Sequence, residues 1–127
     1  MILIKDNHID YSGGIKNALE NTLNYLNTMA LDLKIVIETR TIDEVKQVLD
    51  FTNDNESVHR ILLDNMPNAT LRNAVALING CIPTEASGGV NINTIKEIAE
   101  TGIDYISVGA LTHSYKSLDM SLKAVKN

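Results

Sequence analysis

Five short runs of strand-forming residues, separated by stretches with apolar residues at helical spacing, decide what this chain can fold into. The runs are ILIK (2–5), LKIVIE (33–38), RILLD (60–64), IPTEAS (82–87) and YISVG (105–109). Three are almost continuously apolar, the pattern of strands buried on both faces that a parallel sheet requires. After Ser12, residues Ile15, Ala18, Leu19, Leu23 and Leu26 form one helical stripe. Thr41 and Glu44 make a capping-box signature ahead of Val45, Val48 and Leu49. Pro67 suits the first turn of a helix carrying Leu71, Ala74, Val75 and Ile78. Asn91 suits the cap of a helix with Ile92, Ile95, Ile98 and Ala99, ended by Gly102, and a last short helix is expected over Leu118 to Val125. The expected fold class is therefore α/β: five successive βα units with parallel strands, without a linker or a break in composition.

Composition bounds the function. A chain of 127 residues predicts one domain with a sizeable core, and 44% hydrophobic with 21% charged residues argues against disorder. A net charge of −5 argues against a general nucleic-acid or anionic-membrane surface, though a few placed donors still suffice for an anionic small molecule. Cys81 stands alone, so an internal disulfide and a cysteine-based zinc site are excluded; it is expected to be a small buried residue. No stretch reaches the ~18 apolar residues of a membrane span, and MILIKDNHID turns charged too soon for a signal peptide. The expected setting is cytoplasmic.

In α/β folds ligands bind at the carboxyl ends of the strands. There the sequence sets Lys5-Asp6-Asn7-His8, Glu38, Asp64-Asn65, Glu85 with Ser87-Gly88-Gly89, and Gly109 with Thr112 and His113. Each has an ordinary reading too. Lys5 can leave the sheet into solvent, Asp64 can cap the next helix, and Asn65 is a turn former. His8 and His59 read as loop histidines, and His113 can be read so too. Glu38 is harder to dismiss, because ionised carboxylates are rarely buried without a partner.

The constellation points further than its members. Glu38 and Asp64, on neighbouring strands, suit Mg²⁺, which takes one or two carboxylates and completes its shell with water and phosphate. Lys5 suits an anionic substrate. The stretch TEASGGVN (84–91) sets Glu85 and Ser87 on one face of a strand and follows them with two glycines that let a ligand approach the backbone. Amides around Ser87–Gly89 and at Gly109–Ala110 can receive phosphate oxygens, and adjacent fourth and fifth strands would merge the two turns into one anion pocket. The residues read as a site for a phosphorylated, Mg²⁺-bound substrate.

IKDNHI (4–9), KIVIETRTIDEV (34–45), LLDNM (62–66), EASGGVN (85–91) and SVGALTHS (107–114), in this order, resemble the quinolinate phosphoribosyltransferase family along essentially the whole chain. The resemblance implies an enzyme of NAD biosynthesis. In that reaction the ring nitrogen of quinolinate attacks C1 of phosphoribosyl pyrophosphate, pyrophosphate leaves with Mg²⁺, and the 2-carboxylate departs as CO₂ to give nicotinate mononucleotide. It implies that Lys5 contacts substrate, that Glu38 and Asp64 hold the ribose hydroxyls and the metal, and that Ser87, Gly88, Gly89, Gly109 and His113 bind the 5′-phosphate.

Family members are about twice this length, with a sandwich domain ahead of an open α/β barrel, and a barrel of this type needs roughly 200 residues. Residues 1–127 are thus expected to be the later half of an open, TIM-like barrel, without the sandwich domain. The family's segments that grip the two carboxylates of quinolinate have no counterpart, and the arginines are only Arg40, Arg60 and Arg72. Arg60 opens a strand at the end away from the site. Arg40 stands where the family usually has an acidic residue, close enough to perturb a metal. Weak or absent turnover by this chain alone is expected, with association into a homo-oligomer such as a dimer or with a separate missing half. Alternatives are a non-catalytic remnant that pairs with another subunit and a paralogue using a different aromatic acid. A signalling receiver domain fits the length and Asp64, but it lacks the acidic pair after the first strand and the lysine after the fifth.

Overall fold

The computed structural model describes residues 1–52 and 57–112. In chain order these form β1 (Ile2–Ile4), α1 (Asp6–Ser12), α2 (Ile15–Thr28), β2 (Ile35–Thr39), α3 (Ile42–Thr52), β3 (Val58–Asp64), α4 (Asn68–Ile78), β4 (Thr84–Ser87), α5 (Ile95–Ala99), β5 (Tyr105–Ile106) and a 3₁₀ turn, Gly109–Leu111. The strands make one parallel sheet in the order β1-β2-β3-β4-β5. The α/β reading and its five parallel strands hold.

The helices cover one face of this sheet. Ile4, Ile35, Ile37, Ile61, Leu63 and Ala86 join Leu19, Val45, Val48, Leu71 and Ile78 in a single apolar cluster. Fully burying one such aliphatic side chain contributes roughly 1.5–3 kcal/mol, and Ile37→Ala at the sheet centre is expected to cost about 2–5 kcal/mol through the cavity left behind. Residues between these in sequence turn to the other face, which no described helix covers. That face carries Leu3, Lys5, Val36, Glu38, Arg60, Leu62, Asp64, Glu85, Ser87 and Tyr105; Leu3 and Tyr105 are 44% and 49% exposed.

One irregularity matters for the site. Ile35 pairs with Val58, but Val36 pairs with Arg60, so β3 carries an extra residue at His59. A bulge of this kind reverses the alternation downstream. Val58 stays in the core while Ile61 and Leu63 also face the helices, which turns Arg60, Leu62 and Asp64 onto the open face.

Several details correct the sequence reading. Asp6–Ser12 is a helix, not a loop after the strand, and ends at Gly13 with φ +81°. The α5 segment is short: the hydroxyl of Thr94 accepts from Asn91 N–H, and Asn91 Oδ1 accepts from Asn93 N–H, so Asn91 caps a turn ahead of the helix. Ile92 is 87% exposed and does not belong to the core. β5 covers two residues because the chain leaves the ladder after Ile106 to form the turn at Gly109. The helix expected over Leu118 to Val125 lies outside the described residues. Among the described residues no helix is long and apolar enough to cross a membrane.

Candidate functional site

Parallel pairing carries every carboxyl-terminal strand end to one rim. Lys5 follows β1, Glu38 is the fourth residue of β2, Asp64 closes β3, Ser87 closes β4, and Gly109 heads the turn after β5. Asp64 sits directly opposite Ser87 in the ladder, and Glu38, Leu62, Glu85 and Tyr105 form the level beneath.

Lys5 Nζ lies 4.0 Å from Glu38 Oε2, with side chains 55% and 8% exposed. The solvent reading of Lys5 is therefore half right, since its head is wet yet aimed at a rim carboxylate. Glu38 is buried, and burial pushes its carboxyl above the ordinary range; the nearby charges of Asp64 and Asp6 push the same way, against Lys5 and the backbone N–H of Asp6. Glu38 thus feels the charge of Asp64 from β3 and is met from β1 by a single, largely exposed lysine, an electrostatic arrangement that a cation would relieve.

Asp64 does not cap α4, whose cap position is Pro67. Its Oδ1 accepts a 2.7 Å hydrogen bond from Ser87 Oγ, and its Oδ2 accepts from Asn65 Nδ2 at 3.2 Å. Asn65 is the turn former expected, at φ +51°, and its N–H donates to Ser87 O at 2.9 Å. Its side chain also lies against Gly88, where φ is +84° and a Cβ would overlap the amide of Asn65. The glycine at 88 is thus imposed by the loop after the neighbouring strand β3 as well as by its own backbone. Gly109 differs: it has an ordinary φ, and a Cβ there would meet nothing of this chain. A shallow cavity of about 260 Å³ opens beside Gly88 and Gly89, walled by Asn65, Met66, Pro67, Asn68 and Thr94.

Sequence reasoning missed one cluster. The backbone of Arg60 lies low on β3, but its side chain climbs to Glu85, with Nη1 2.6 Å from Oε2. The guanidinium stacks 4.0 Å above the Tyr105 ring, and the Ser107 hydroxyl donates to the other oxygen of Glu85. Burial raises the Glu85 carboxyl, but Ser107 and Arg60 outweigh it and hold it below its ordinary value. The only signal in the sequence was a charged residue inside a strand-like run.

Other candidates lie apart. Arg40 is locked between Asp10, at 2.9 Å, and Glu44, at 2.8 Å, so its charge is spent on these two carboxylates and not turned on Glu38 or Asp64. His8 is helical, and its Nδ1 accepts from the Lys5 N–H. His59 lies in β3 rather than in a loop, and burial with Lys34 and Arg60 nearby lowers its pKa. Cys81 is exposed, not buried. His113 lies outside the described residues. A larger cleft of about 770 Å³ opens at the opposite end, where β2, β3 and β4 begin, but it carries none of the rim groups.

Among the described residues no three histidine, cysteine or acidic side chains gather into a metal cage. Glu38 and Asp64 instead fit the sparse Mg²⁺ arrangement that leaves most positions to water and phosphate.

A family model described as "Quinolinate phosphoribosyl transferase, C-terminal domain" matches residues 1–123. A rice (Oryza sativa subsp. japonica) protein named nicotinate-nucleotide pyrophosphorylase (carboxylating), chloroplastic, is 50% identical over 133 aligned positions, covering 97% of this chain and 36% of its own length. Among solved structures, nicotinate-nucleotide pyrophosphorylase from Ehrlichia chaffeensis is 40% identical with a TM-score of 0.76, covering 88% of this chain and 38% of that one. NadC from Streptococcus pyogenes is 32% identical with a TM-score of 0.78, covering 97% and 40%. The chain spans a little over a third of the length of these relatives.

Proposed function

The chain belongs to the quinolinate phosphoribosyl transferase family, through its C-terminal domain, and from that we propose that it holds the sugar-phosphate side of phosphoribosyl transfer to quinolinate. In the proposed reaction the quinolinate ring nitrogen displaces pyrophosphate from C1 of phosphoribosyl pyrophosphate. The C–CO₂ bond at ring position 2 then breaks, a proton replaces it, and nicotinate mononucleotide results. The observation that carries this reading is the gathering of Lys5–Glu38 and Asp64–Ser87 at one rim beside the Gly88 and Gly109 turns.

In this reading the 5′-phosphate takes the backbone N–H groups of Gly88 and Gly89 and of the Gly109 turn, with the Ser87 hydroxyl and His113 as further donors. Glu38 and Asp64 orient the ribose hydroxyls, and their negative charge favours the positive charge that develops at C1 as pyrophosphate departs. Mg²⁺ held by the same two carboxylates would neutralise the departing pyrophosphate. Lys5 stands at the edge of this group to meet substrate. The cytoplasm is the proposed compartment.

Quinolinate carries two carboxylates, and the arginines suited to fork onto them are otherwise engaged or distant. Arg40 holds Asp10 and Glu44, Arg60 holds Glu85, and Arg72 lies exposed on α4. This supports a second reading, in which turnover needs a partner that supplies the acid-gripping cations. The sheet face that no described helix covers, with Leu3 and Tyr105 on it, supports it too. The test is titration of ribose 5-phosphate, with and without Mg²⁺, alongside CO₂ release from quinolinate and phosphoribosyl pyrophosphate. Ribose 5-phosphate binding with little CO₂ release is expected. Absence of binding ends the proposal, and rapid CO₂ release by the chain alone ends the second reading.

A further inference from the structure

Glu85 raises a question that the proposed reaction leaves open. It stands two residues before Ser87 on the same face of β4, so its ionised carboxylate lies roughly 7 Å beneath the turn assigned to phosphate. A fixed negative charge there opposes an anion. Yet the carboxylate is useful, because the Ser107 hydroxyl bonds to it, tying β4 to β5 two residues before each glycine turn.

We propose that Arg60 is a positioning residue that cancels the charge of Glu85, so that this carboxylate can set the spacing of the two phosphate turns without repelling phosphate. The inference rests on the phosphate reading given above. Its geometry is specific. Arg60 contacts Glu85 at 2.6 Å, is braced over the Tyr105 ring at 4.0 Å, and is brought to this face by the bulge at His59. Its Nε is buried without an acceptor among the described residues. An arginine kept there at the cost of an unbonded N–H is kept for its charge on Glu85. From β5 the carboxylate meets Ser107 and Tyr105, and from β3 Arg60, with Asp64 one level above; Glu38 stands two strands away, and Asp104 is bonded to Thr84 on the helix-covered face.

The test compares two substitutions that break the same ion pair. Ribose 5-phosphate is titrated calorimetrically into the full chain, as wild type, Arg60→Met, Arg60→Lys, Glu85→Gln and the Arg60→Met/Glu85→Gln double variant. Arg60→Met is expected to weaken binding about tenfold near neutral pH, as an uncompensated charge at this range would. Glu85→Gln is expected to leave binding unchanged or tighter, the double variant to recover within about threefold of wild type, and Arg60→Lys to stay close to wild type. The Arg60→Met deficit should also shrink on acidification, as Glu85, deprived of its counter-ion, takes up a proton. A purely structural role moves both single variants in the same direction and shows no such pH dependence, and that pattern overturns the proposal. Arg60→Met binding like wild type also overturns it while leaving the phosphate reading intact. Wild type that fails to bind ribose 5-phosphate removes the phosphate reading, and this role with it. Should Arg60→Met fail to fold, Glu85→Gln and Arg60→Lys decide: weakened binding in Glu85→Gln, or tenfold loss in Arg60→Lys, sinks the idea.

Discussion

Ser87 Oγ donates its hydrogen to Asp64 Oδ1 at 2.7 Å, so the proposed phosphate donor and the proposed metal ligand share one hydroxyl proton. A hydroxyl has a single hydrogen to give. If phosphate takes it, Asp64 Oδ1 is released to a cation, and the two ligands help one another. Ribose 5-phosphate is expected to tighten Mg²⁺ binding about fivefold or more, with the reciprocal gain for ribose 5-phosphate. In Ser87→Ala that factor should shrink, because Oδ1 is already free. Calorimetric titrations in both orders measure it, and an undiminished factor in Ser87→Ala rules the shared proton out.

Glu38 gives a pH prediction. Burial first, then Asp64 and Asp6, raise its pKa in the folded chain above the unfolded value. A raised folded-state pKa means that its favourable contribution to stability is full below the unfolded pKa and is lost as pH rises through the folded one. Glu38→Gln, which keeps the shape and an acceptor for the Asp6 N–H, should therefore stabilise the metal-free chain at about pH 8 and give no gain at about pH 4. Denaturant unfolding at the two pH values checks this. Mg²⁺ affinity of the wild type should rise with pH through the same titration, since the metal requires the ionised form.

Arg40 follows the rim strand but is pinned by Asp10 and Glu44 on the outside of the sheet. Exposed pairs contribute little and are screened by salt. Arg40→Ala should therefore change Mg²⁺ affinity by no more than about twofold at physiological salt, where the Debye length is about 8 Å. A tenfold change would show that its field reaches the rim after all.

These expectations depend on features of unequal visibility in the sequence. The buried isoleucine and leucine runs and the stripe from Ile15 to Leu26 announce strands and helices by spacing alone, because period is a local property. The rim followed, since parallel strands bring Lys5, Glu38, Asp64 and Ser87 to one edge whatever the loops do. Arg60 was not legible. Its partner lies 25 positions away on another strand, and a bulge at His59, with no glycine or proline to announce it, decides which face it takes. The first helix escaped for a different reason: its N-terminus is capped by the Lys5 backbone and His8 rather than by a hydroxyl or carboxylate. Cys81 was misread because apolar neighbours say little about a residue at the start of a strand connection, where the chain surfaces.

The paired glycines supply the last prediction, because the two phosphate turns use glycine for different reasons. At Gly88, φ is +84° and the Asn65 side chain fills the space where a Cβ would stand. Gly88→Ala therefore meets both backbone strain and an overlap with a side chain that is itself tied to Asp64, and a loss of about 1–3 kcal/mol is expected. Asn65→Gly in the same chain removes the overlap but not the strain, so it should restore only part of that loss. At Gly109 neither constraint applies, and Gly109→Ala should stay within about 0.5 kcal/mol of wild type. If ligand access is what Gly109 provides, that stable variant should still lose affinity for ribose 5-phosphate. Thermal unfolding and calorimetric titration of the four proteins separate these effects; an equally destabilised Gly109→Ala, or one that binds as wild type does, shows that the turn after β5 serves the fold and not a ligand.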